Sequence, residues 1–229
     1  GNNHFWLDWR VDGLAGSDVV DANPAHIIYE CLTDTSWGLG ESALNIDVQS
    51  FIDAARVLFA ENFGLSLIWD AASAIEDFVN LILAHINGVI FTNPATGLLT
   101  LRLVRDDYDI STVRELNPDN AVLTRFSRKA WGDTINEVQV SWTDPSDEDA
   151  SKVILQDSGN IAQQGFINSS NSDYPGVRTL ALAGNLAERD LRAASAPLCT
   201  GEAEVNRSFY DLTPMEVVKL HWPEYGVDA

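Results

Sequence analysis

The chain has 229 residues and a formal net charge of −20, from 34 acidic and 14 basic residues. Hydrophobic residues make up 45% of it, as expected for a globular protein. We find no apolar run near the ~20 residues of a membrane span, and no secretion signal at the start. The excess of carboxylates argues against nucleic-acid binding through phosphates, because that binding needs clustered cations.

Two capped helices are predicted early in the chain. Residues 1–22 are expected to form a strand and then a loop. Asn23 then takes the N-cap position and Pro24 the first helical position of one helix. Asp47 caps a second helix that extends to about Glu61, because apolar residues recur there at helical spacing.

A helix laid on a β-hairpin is the centre of the predicted organisation, and a short strand over residues 65–70 leads into it. Ser73 and Glu76 match a capping box, in which the two residues satisfy each other's free backbone amides. The apolar stripe of this helix comprises Ile75, Phe78, Val79, Ile82, Leu83 and Ile86. The elements that follow are a left-handed helix end at Asn87-Gly88, strands over 89–92 and 98–103, and a turn over 93–97.

The second half of the chain is predicted to be rich in strands. Asp106, Asp107 and Asp109 lie in a connection over residues 105–120 and are interpreted as solvated surface. The acidic turn over residues 144–149 lacks the residue order of a calcium loop. The other predicted elements are strands over 122–128, 135–143 and 152–156, a long flexible loop over 159–173, a helix over 179–194, and a last antiparallel pair over 202–210 and 216–222. The predicted inner face of the helix comprises Leu180, Ala183, Leu186, Ala187, Leu191 and Ala194.

These elements predict an α+β fold in three parts. Residues 1–22 are the N-terminal strand and loop, residues 23–110 an α+β subdomain of helices and a hairpin, and residues 111–229 a β-rich, barrel-like subdomain with one helix. The boundary is placed near Ser111, where turn residues and aspartates cluster.

No catalytic, cofactor-binding or metal-binding residue is predicted. The sequence lacks nucleophile-elbow, zinc-protease and phosphate-loop motifs, and its four histidines are scattered. His85 is interpreted as a satisfied histidine at the edge of the core. Cys31 and Cys199 are expected to be free, buried thiols. The sequence therefore predicts that the protein is not an enzyme.

Two alternatives remain open at this point. The seven tryptophans suit a carbohydrate- or receptor-binding module, although Trp69 and Trp142 lie on strand patterns typical of a core. The 34 acidic residues also allow a pair of carboxylates such as a cell-wall glycan hydrolase uses.

Several motifs, in order along the chain, resemble the tail-tip (host-specificity) proteins of lambda-like phages and the related tail proteins of prophages and gene-transfer agents. The resemblance covers roughly Ala22 to Trp222. The motifs that carry it are Asn23-Pro24-Ala25-His26-Ile27-Ile28, Leu32-Thr33, Trp37-Gly38-Leu39-Gly40, the strand Asn136-Glu137-Val138-Gln139-Val140-Ser141-Trp142, and the alanine-rich helix Ala181-Leu182-Ala183-Gly184-Asn185-Leu186-Ala187-Glu188-Arg189. One departure is Pro214-Met215-Glu216, where the family pattern has Pro-Gly-Asp. Methionine disfavours a positive φ, so a type I turn is expected there.

The resemblance implies a baseplate-hub-like fold and a structural role in the virion. Such a hub is a homotrimer that joins the tail tube to the tip and surrounds a channel for the tape-measure protein and passing DNA. Tail-tube, tail-tip and tape-measure proteins are the implied neighbours, and assembly would take place in the cytoplasm of the bacterial host. The charge adds the expectation of an acidic channel, with the loops around Asp106 and Asp147 as candidate linings.

Overall fold

The computed structural model of the protein describes residues 10–12, 20–69, 74–144 and 150–228. The helices are α1 (Pro24–Thr33), α2 (Val48–Ala60), α3 (Ile75–Ile86), α4 (Ser158–Gln164) and α5 (Leu180–Ser195). The strands are β1 (Arg10–Asp12), β2 (Val20–Ala22), β3 (Gly88–Thr92), β4 (Leu99–Leu103), β5 (Glu115–Leu116), β6 (Ala121–Arg128), β7 (Glu137–Thr143), β8 (Ala150–Gln156), β9 (Ser169–Asp173), β10 (Cys199–Val205), β11 (Lys219–Trp222) and β12 (Val227–Asp228).

The strands form five small sheets within the described residues. Three are antiparallel pairs, β1–β2, β3–β4 and β6–β10. In the order β8-β7-β9, β7 is antiparallel to β8 and parallel to β9; in β12-β11-β5, β11 is antiparallel to β12 and parallel to β5. The α+β class is confirmed. None of these sheets closes into a barrel, and the barrel-like character predicted for residues 111–229 is not confirmed.

The caps of α1 and α2 are confirmed. The Asn23 side-chain oxygen accepts a hydrogen bond from the Ala25 amide at 3.1 Å, and its amide group donates to the Ala55 carbonyl oxygen at 2.9 Å. Asp47 accepts from the Ser50 amide at 3.4 Å. Asn23 therefore caps α1 and ties it to α2 at the same time.

The capping box predicted for α3 does not form. The N-cap is Ala74, which has no side-chain acceptor, and Ser73 lies outside the described residues. The helix starts one residue later than predicted, and Glu76 and Asp77 in its first turn provide negative charge near the amino end. The other end is confirmed, since Asn87 is left-handed with a φ of 51°.

The hairpin after α3 is confirmed, but the strand predicted before α3 is wrong. β3 and β4 pair from Gly88 with Leu103 to Thr92 with Leu99. In the predicted strand over 65–70, Leu65 makes only an isolated bridge with Ala22, and Asp70 lies outside the described residues. The next residue, Ser66, donates its amide hydrogen to Gly176 instead, so this segment bridges two parts of the chain without a continuous ladder.

The loop predicted over residues 159–173 is also wrong, because it contains α4 and β9. Asp157 caps α4 by accepting from the Asn160 amide, and left-handed Gly165 ends it. β9 has the polar sequence Ser-Ser-Asn-Ser-Asp, which has little strand propensity of its own. Its ladder with β7 supplies the backbone hydrogen bonds that hold it extended.

The last predicted pair of strands does not form. β10 pairs with β6, while β11 pairs with β5 and β12. The turn at Thr213-Pro214-Met215-Glu216 also differs from the expected type I turn, because Met215 has a φ of 60°. Glu216 donates its amide hydrogen to the Thr213 carbonyl oxygen at 3.2 Å, so the turn is of type II with proline in second position.

The buried side chains form two hydrophobic clusters. The large core draws on α1, α2, α3, the β3–β4 hairpin, β7 and α5, and includes Ile28, Phe51, Leu58, Ile82, Ile86, Val138, Val140, Leu182 and Leu186. The small cluster comprises Leu116, Ala121, Phe209 and Trp222. Leu180, predicted on the inner face of α5, is 63% exposed because the buried stripe begins at Leu182. The domain limits at 23–110 and 111–229 stay predictions.

Candidate functional site

Histidines and cysteines do not form a reactive cluster in the part of the chain that the structure describes. No group of three or more His, Cys, Asp or Glu residues there is arranged to hold a metal ion. His26 and His85 are buried at 2% and 1% exposure. Cys31 is buried as predicted, and burial raises the pKa of its thiol to about 11. Cys199 is exposed, which corrects its predicted burial, because β10 pairs with β6 alone among the described strands and all seven of its residues are exposed.

His85 is a satisfied core histidine, as predicted. Its Nδ1 lies 2.7 Å from the Leu81 carbonyl oxygen and its Nε2 lies 3.0 Å from the Pro175 carbonyl oxygen. Its ring meets the Tyr174 ring edge-on, with centroids 5.0 Å apart. Burial lowers the pKa of His85 in spite of the two carbonyl contacts. The residue therefore joins α3 to the segment between β9 and α5 and has no solvent-facing nitrogen.

Tyr174 continues this joint towards α5. Its hydroxyl donates to Asp190 at 2.6 Å, and Arg189 donates to the same hydroxyl at 2.7 Å. Burial, followed by the Asp190 contact, raises the pKa of Tyr174 to about 12, so the phenol stays protonated. Arg189 also donates to the His85 carbonyl oxygen at 2.5 Å. All these groups are occupied in structural contacts.

A buried amide network surrounds the start of β7. The Asn136 side chain donates to the Phe166 carbonyl oxygen at 3.0 Å and accepts from the Asn168 amide at 2.7 Å. Asn160 donates to the Thr134 hydroxyl at 2.8 Å and to the Ser195 carbonyl oxygen at 2.7 Å. This network gives a physical reason for the asparagine in the strand motif, since Asn136 holds α4 and β9 against β7.

Arg114 is the centre of a polar joint beside the small cluster. It donates to Asp211 at 2.7 Å and to Glu216 at 2.6 Å, and its guanidinium carbon lies 5.3 Å from the centre of the Phe209 ring. The Arg114 hydrogen bond lowers the pKa of Asp211. Burial opposes ionisation of Glu216, but hydrogen bonds from Arg114 and Thr213 hold its pKa below the usual value.

A groove with basic residues at its edge lies at one end of the β6–β10 ribbon. We call it the basic groove, and it encloses about 660 Å³. Trp131 and Leu198, on its wall, are 46% and 56% exposed. Its lining contains no aspartate or glutamate among the described residues, and the residues that define it are Phe126, Arg128, Lys129, Trp131, Leu198 and Leu220. Exposed apolar surface of this kind is typical of an interaction site.

The acidic loop over residues 106–110 is the opposite kind of surface. All five residues are exposed, as the sequence predicted for its aspartates. Asp109 accepts hydrogen bonds from the Ser111 hydroxyl and amide, which lower its pKa. Tyr108 and Ile110 stand between the carboxylates and are 46% and 64% exposed. Asp147, the other candidate for a channel lining, lies outside the described residues.

The two tryptophans predicted as core differ from each other. Trp142 is buried, which confirms the prediction for that strand. Trp69 is only half-buried, and its ring lies 5.8 Å from the Trp37 ring and 6.4 Å from the Phe78 ring, measured between centroids. Trp37 is 42% exposed, so this aromatic row reaches solvent. The strand pattern around Trp69 predicted a core position, which is wrong because that segment makes no continuous ladder and leaves Trp69 half-buried.

The family comparison gives the class of the protein. Residues 74–229 match a family described as "Putative phage tail protein". The match spans more than half of the chain, and the chain belongs to this family of phage tail proteins. The resemblance seen in the sequence is confirmed at this level. Across the described residues no helix is long and apolar enough to cross a membrane.

Two solved structures are similar to the chain. The tail protein from Neisseria meningitidis MC58 has 14% sequence identity and a TM-score of 0.50, over 72% of this chain and 51% of that one. The prophage tail protein gp18 from Listeria monocytogenes EGD-e has 13% identity and a TM-score of 0.34, over 79% and 56%. The chain spans about half the length of these solved proteins. No curated protein matches it significantly.

Proposed function

We propose that the protein is a structural component of a phage or prophage tail tip, where it forms part of the hub that joins tail tube to tip. The observation that carries this proposal is the family match over residues 74–229. The tail-protein fold of the Neisseria meningitidis structure, at a TM-score of 0.50, supports it. The proposed place of the protein is the virion, after assembly in the cytoplasm of the bacterial host.

The proposed assembly is a homotrimeric ring around a channel, next to tail-tube and tape-measure proteins. A lumen lined by carboxylates would repel DNA phosphates and let the duplex pass without binding. The net charge of −20 per chain supplies the sign of this surface. In this assembly the DNA only passes through the channel and is not bound specifically.

The same charge opposes assembly of the isolated chain. At physiological salt the Debye length is ~8 Å, which screens charges across a wide channel but not charges close to an interface. We expect the isolated chain to be mainly monomeric in dilute solution and to associate more at higher salt. Flanking parts of the longer protein and the tail tube would hold the ring closed.

A reconstruction of the whole tail tip tests the proposal. Three copies of this fold around the channel, with carboxylates facing the lumen, are the expected result. A single copy per tail, or a lumen lined by the arginines of this chain, would contradict it. Within the proposal the protein has no catalytic role, so glycan or peptide cleavage that copurifies with the chain, or melting that is sensitive to EDTA, would also count against it.

A second candidate is a carbohydrate- or receptor-binding role, and the aromatic row of Trp37, Trp69 and Phe78, which reaches solvent at Trp37, favours it. Tryptophan faces suit the apolar faces of sugar rings. Titration with fragments of cell-wall glycan tests this role through tryptophan fluorescence. Saturable quenching that disappears in Trp37→Ala but persists in Trp131→Ala would support it, and no quenching would remove it.

A further inference from the structure

Most arginines of this chain are already used within it. In the described residues, ion pairs with carboxylates engage Arg56, Arg105, Arg114, Arg125, Arg178, Arg189 and Arg192. Arg128 and Lys129 are exposed and make no ion pair with a carboxylate in that part of the chain. They are neighbours in sequence and lie at the edge of one groove. This is a local positive surface on a strongly acidic protein.

The basic groove offers apolar surface as well as charge. Trp131 and Leu198 are about half exposed on its wall, and Phe126 packs on Tyr225 at a centroid distance of 5.3 Å. A segment that fills this groove should therefore carry large apolar side chains beside carboxylates. Carboxylates would pair with Arg128 and Lys129, while apolar side chains would displace water from the wall.

The acidic loop over residues 106–110 has this composition, Asp-Asp-Tyr-Asp-Ile. Asp106 and Asp107 are exposed, and Tyr108 and Ile110 present large apolar side chains to solvent. A tyrosine side chain brings a large contact area at a low cost in conformational entropy. The loop and the groove thus complement each other in charge and in apolar surface.

We propose that the acidic loop of one copy of this chain docks in the basic groove of the next copy. The contact joins two different surfaces, so repetition around an axis closes a ring if the rotation allows. This inference rests on the proposed ring and names the surfaces that join its subunits. It also places the loop around Asp106 at the interface between copies and not in the lumen. A short-range attraction at the interface offsets the repulsion between chains of charge −20.

Charge reversal on each surface tests the contact in solution. The groove variant is Arg128→Glu/Lys129→Glu, the loop variant is Asp106→Lys/Asp107→Lys, and the swapped variant carries all four changes. The swapped variant keeps the net charge of the wild type, because the changes of −4 and +4 cancel. Sedimentation equilibrium at rising protein concentration gives the association constant of each.

We expect the groove and loop variants each to associate roughly tenfold or more weakly than wild type, and the swapped variant to recover most of the loss. The control for the groove variant is Arg56→Glu/Arg192→Glu, which adds the same negative charge on exposed helix positions. A control as weak as the groove variant would assign the effect to net charge and overturn the proposal. A wild-type chain that stays monomeric at every concentration would also overturn it.

An engineered disulfide between the two surfaces provides a direct test of the contact. Cys199 lines the basic groove and is exposed, so Ile110→Cys should form an intermolecular disulfide with it under mild oxidation. Leu44→Cys, at an 87% exposed position, is the matched control and should cross-link less. Cross-linking that persists in the background of Cys199→Ser, or equals that of Leu44→Cys, would contradict the contact. A trimeric hub in which loop and groove face apart would overturn this inference and leave the proposed function intact.

Discussion

The large core and the small cluster hold their parts of the molecule together in different ways. The large core packs helices on both the β3–β4 hairpin and the β7 sheet, and many of its side chains are fully buried. The small cluster has four buried side chains, and all seven residues of β10 beside it are exposed. An isolated two-stranded ribbon is marginally stable in water. We infer that apolar burial sustains the first region, whereas polar contacts such as those of Arg114 sustain the second.

The largest expected effect comes from truncating a buried side chain in the large core. Phe51 is fully buried and meets the Tyr29 ring edge-on at 5.6 Å. Phe51→Ala should lower the free energy of unfolding by about 3–5 kcal/mol, because it removes apolar contacts and leaves a cavity. Phe59→Ala in the same helix is the control, since Phe59 is 46% exposed. Equal urea midpoints for the two variants would contradict the assignment of the core.

The region around the large core should lose stability in acid between about pH 6.5 and pH 4, because of His26. Burial lowers the pKa of His26 from 6.5 to about 4. The unfolded chain then binds more protons than the folded one between these values, so stability falls as the pH drops from about 6.5 to about 4. The loss should be about 3 kcal/mol at the lower end. His26→Gln should make the urea midpoint less dependent on pH over this range, while the part due to His85, whose pKa burial also lowers, should remain. An unchanged slope would exclude His26 as a cause.

The small cluster should respond to a smaller polar change. Arg114→Ala removes the contacts to Asp211, Glu216 and Phe209, so amide hydrogen exchange in β5 and β11 should be about three- to tenfold faster. Exchange in α2 should stay the same. Equal acceleration in both places would mean that the two regions open together.

The same joint gives the small cluster a different acid response. The pKa values of Asp211 and Glu216 are held below 3.8 and 4.5, so their stabilisation is complete above these values. It is lost as the pH falls through their lower folded pKa values. The protection factors of the β11 amides, which correct for the pH dependence of the chemical exchange rate, should therefore fall in wild type only below about pH 4.5. In Arg114→Ala this acid dependence should disappear, and its persistence would assign it to other groups.

The smallest expected effect is a gain in stability from a substitution at the Met215 turn. A methionine with a φ of 60° is strained, and Met215→Gly removes this strain. The free energy of unfolding should rise by at most about 1 kcal/mol, because glycine also gains freedom in the unfolded chain. Met215→Ala keeps the strain and is the control. A lower stability of Met215→Gly than of Met215→Ala would contradict the type II turn.

Local signals predicted the large core better than the small cluster. Asn23, Asp47 and Asn87 are caps whose chemistry acts within a few residues, and their helices are confirmed. The hairpin over Gly88–Thr92 and Leu99–Leu103 has its turn residues in sequence beside it. Such elements can be predicted because their stabilising partners are near in the chain.

Apart from the capping box of α3, which is a local signal that failed, the errors involve partners that are distant in the chain. β10 pairs with β6, more than 70 residues away, so the order of strands could not indicate the ladder. β9 has no apolar alternation and is a strand because β7 lies beside it. Met215 was expected to disfavour a positive φ, but it adopts one in a turn that Arg102 contacts, by donating to the neighbouring Pro214 carbonyl oxygen at 3.2 Å. The basic groove was missed because its walls come from β6, the segment before β10, and β11.

The pairing directions also have a mechanical consequence. A pull on the two ends of the chain would shear the parallel strands β7 and β9 along their length, which loads several backbone hydrogen bonds at once. The antiparallel ribbon β6–β10 would open from one end, with one hydrogen bond under load at a time. Under tension the ribbon should therefore separate at a lower force than the β7–β9 ladder. A protein stretched in this way would lose the β6–β10 ribbon first and keep the sheet of β8, β7 and β9.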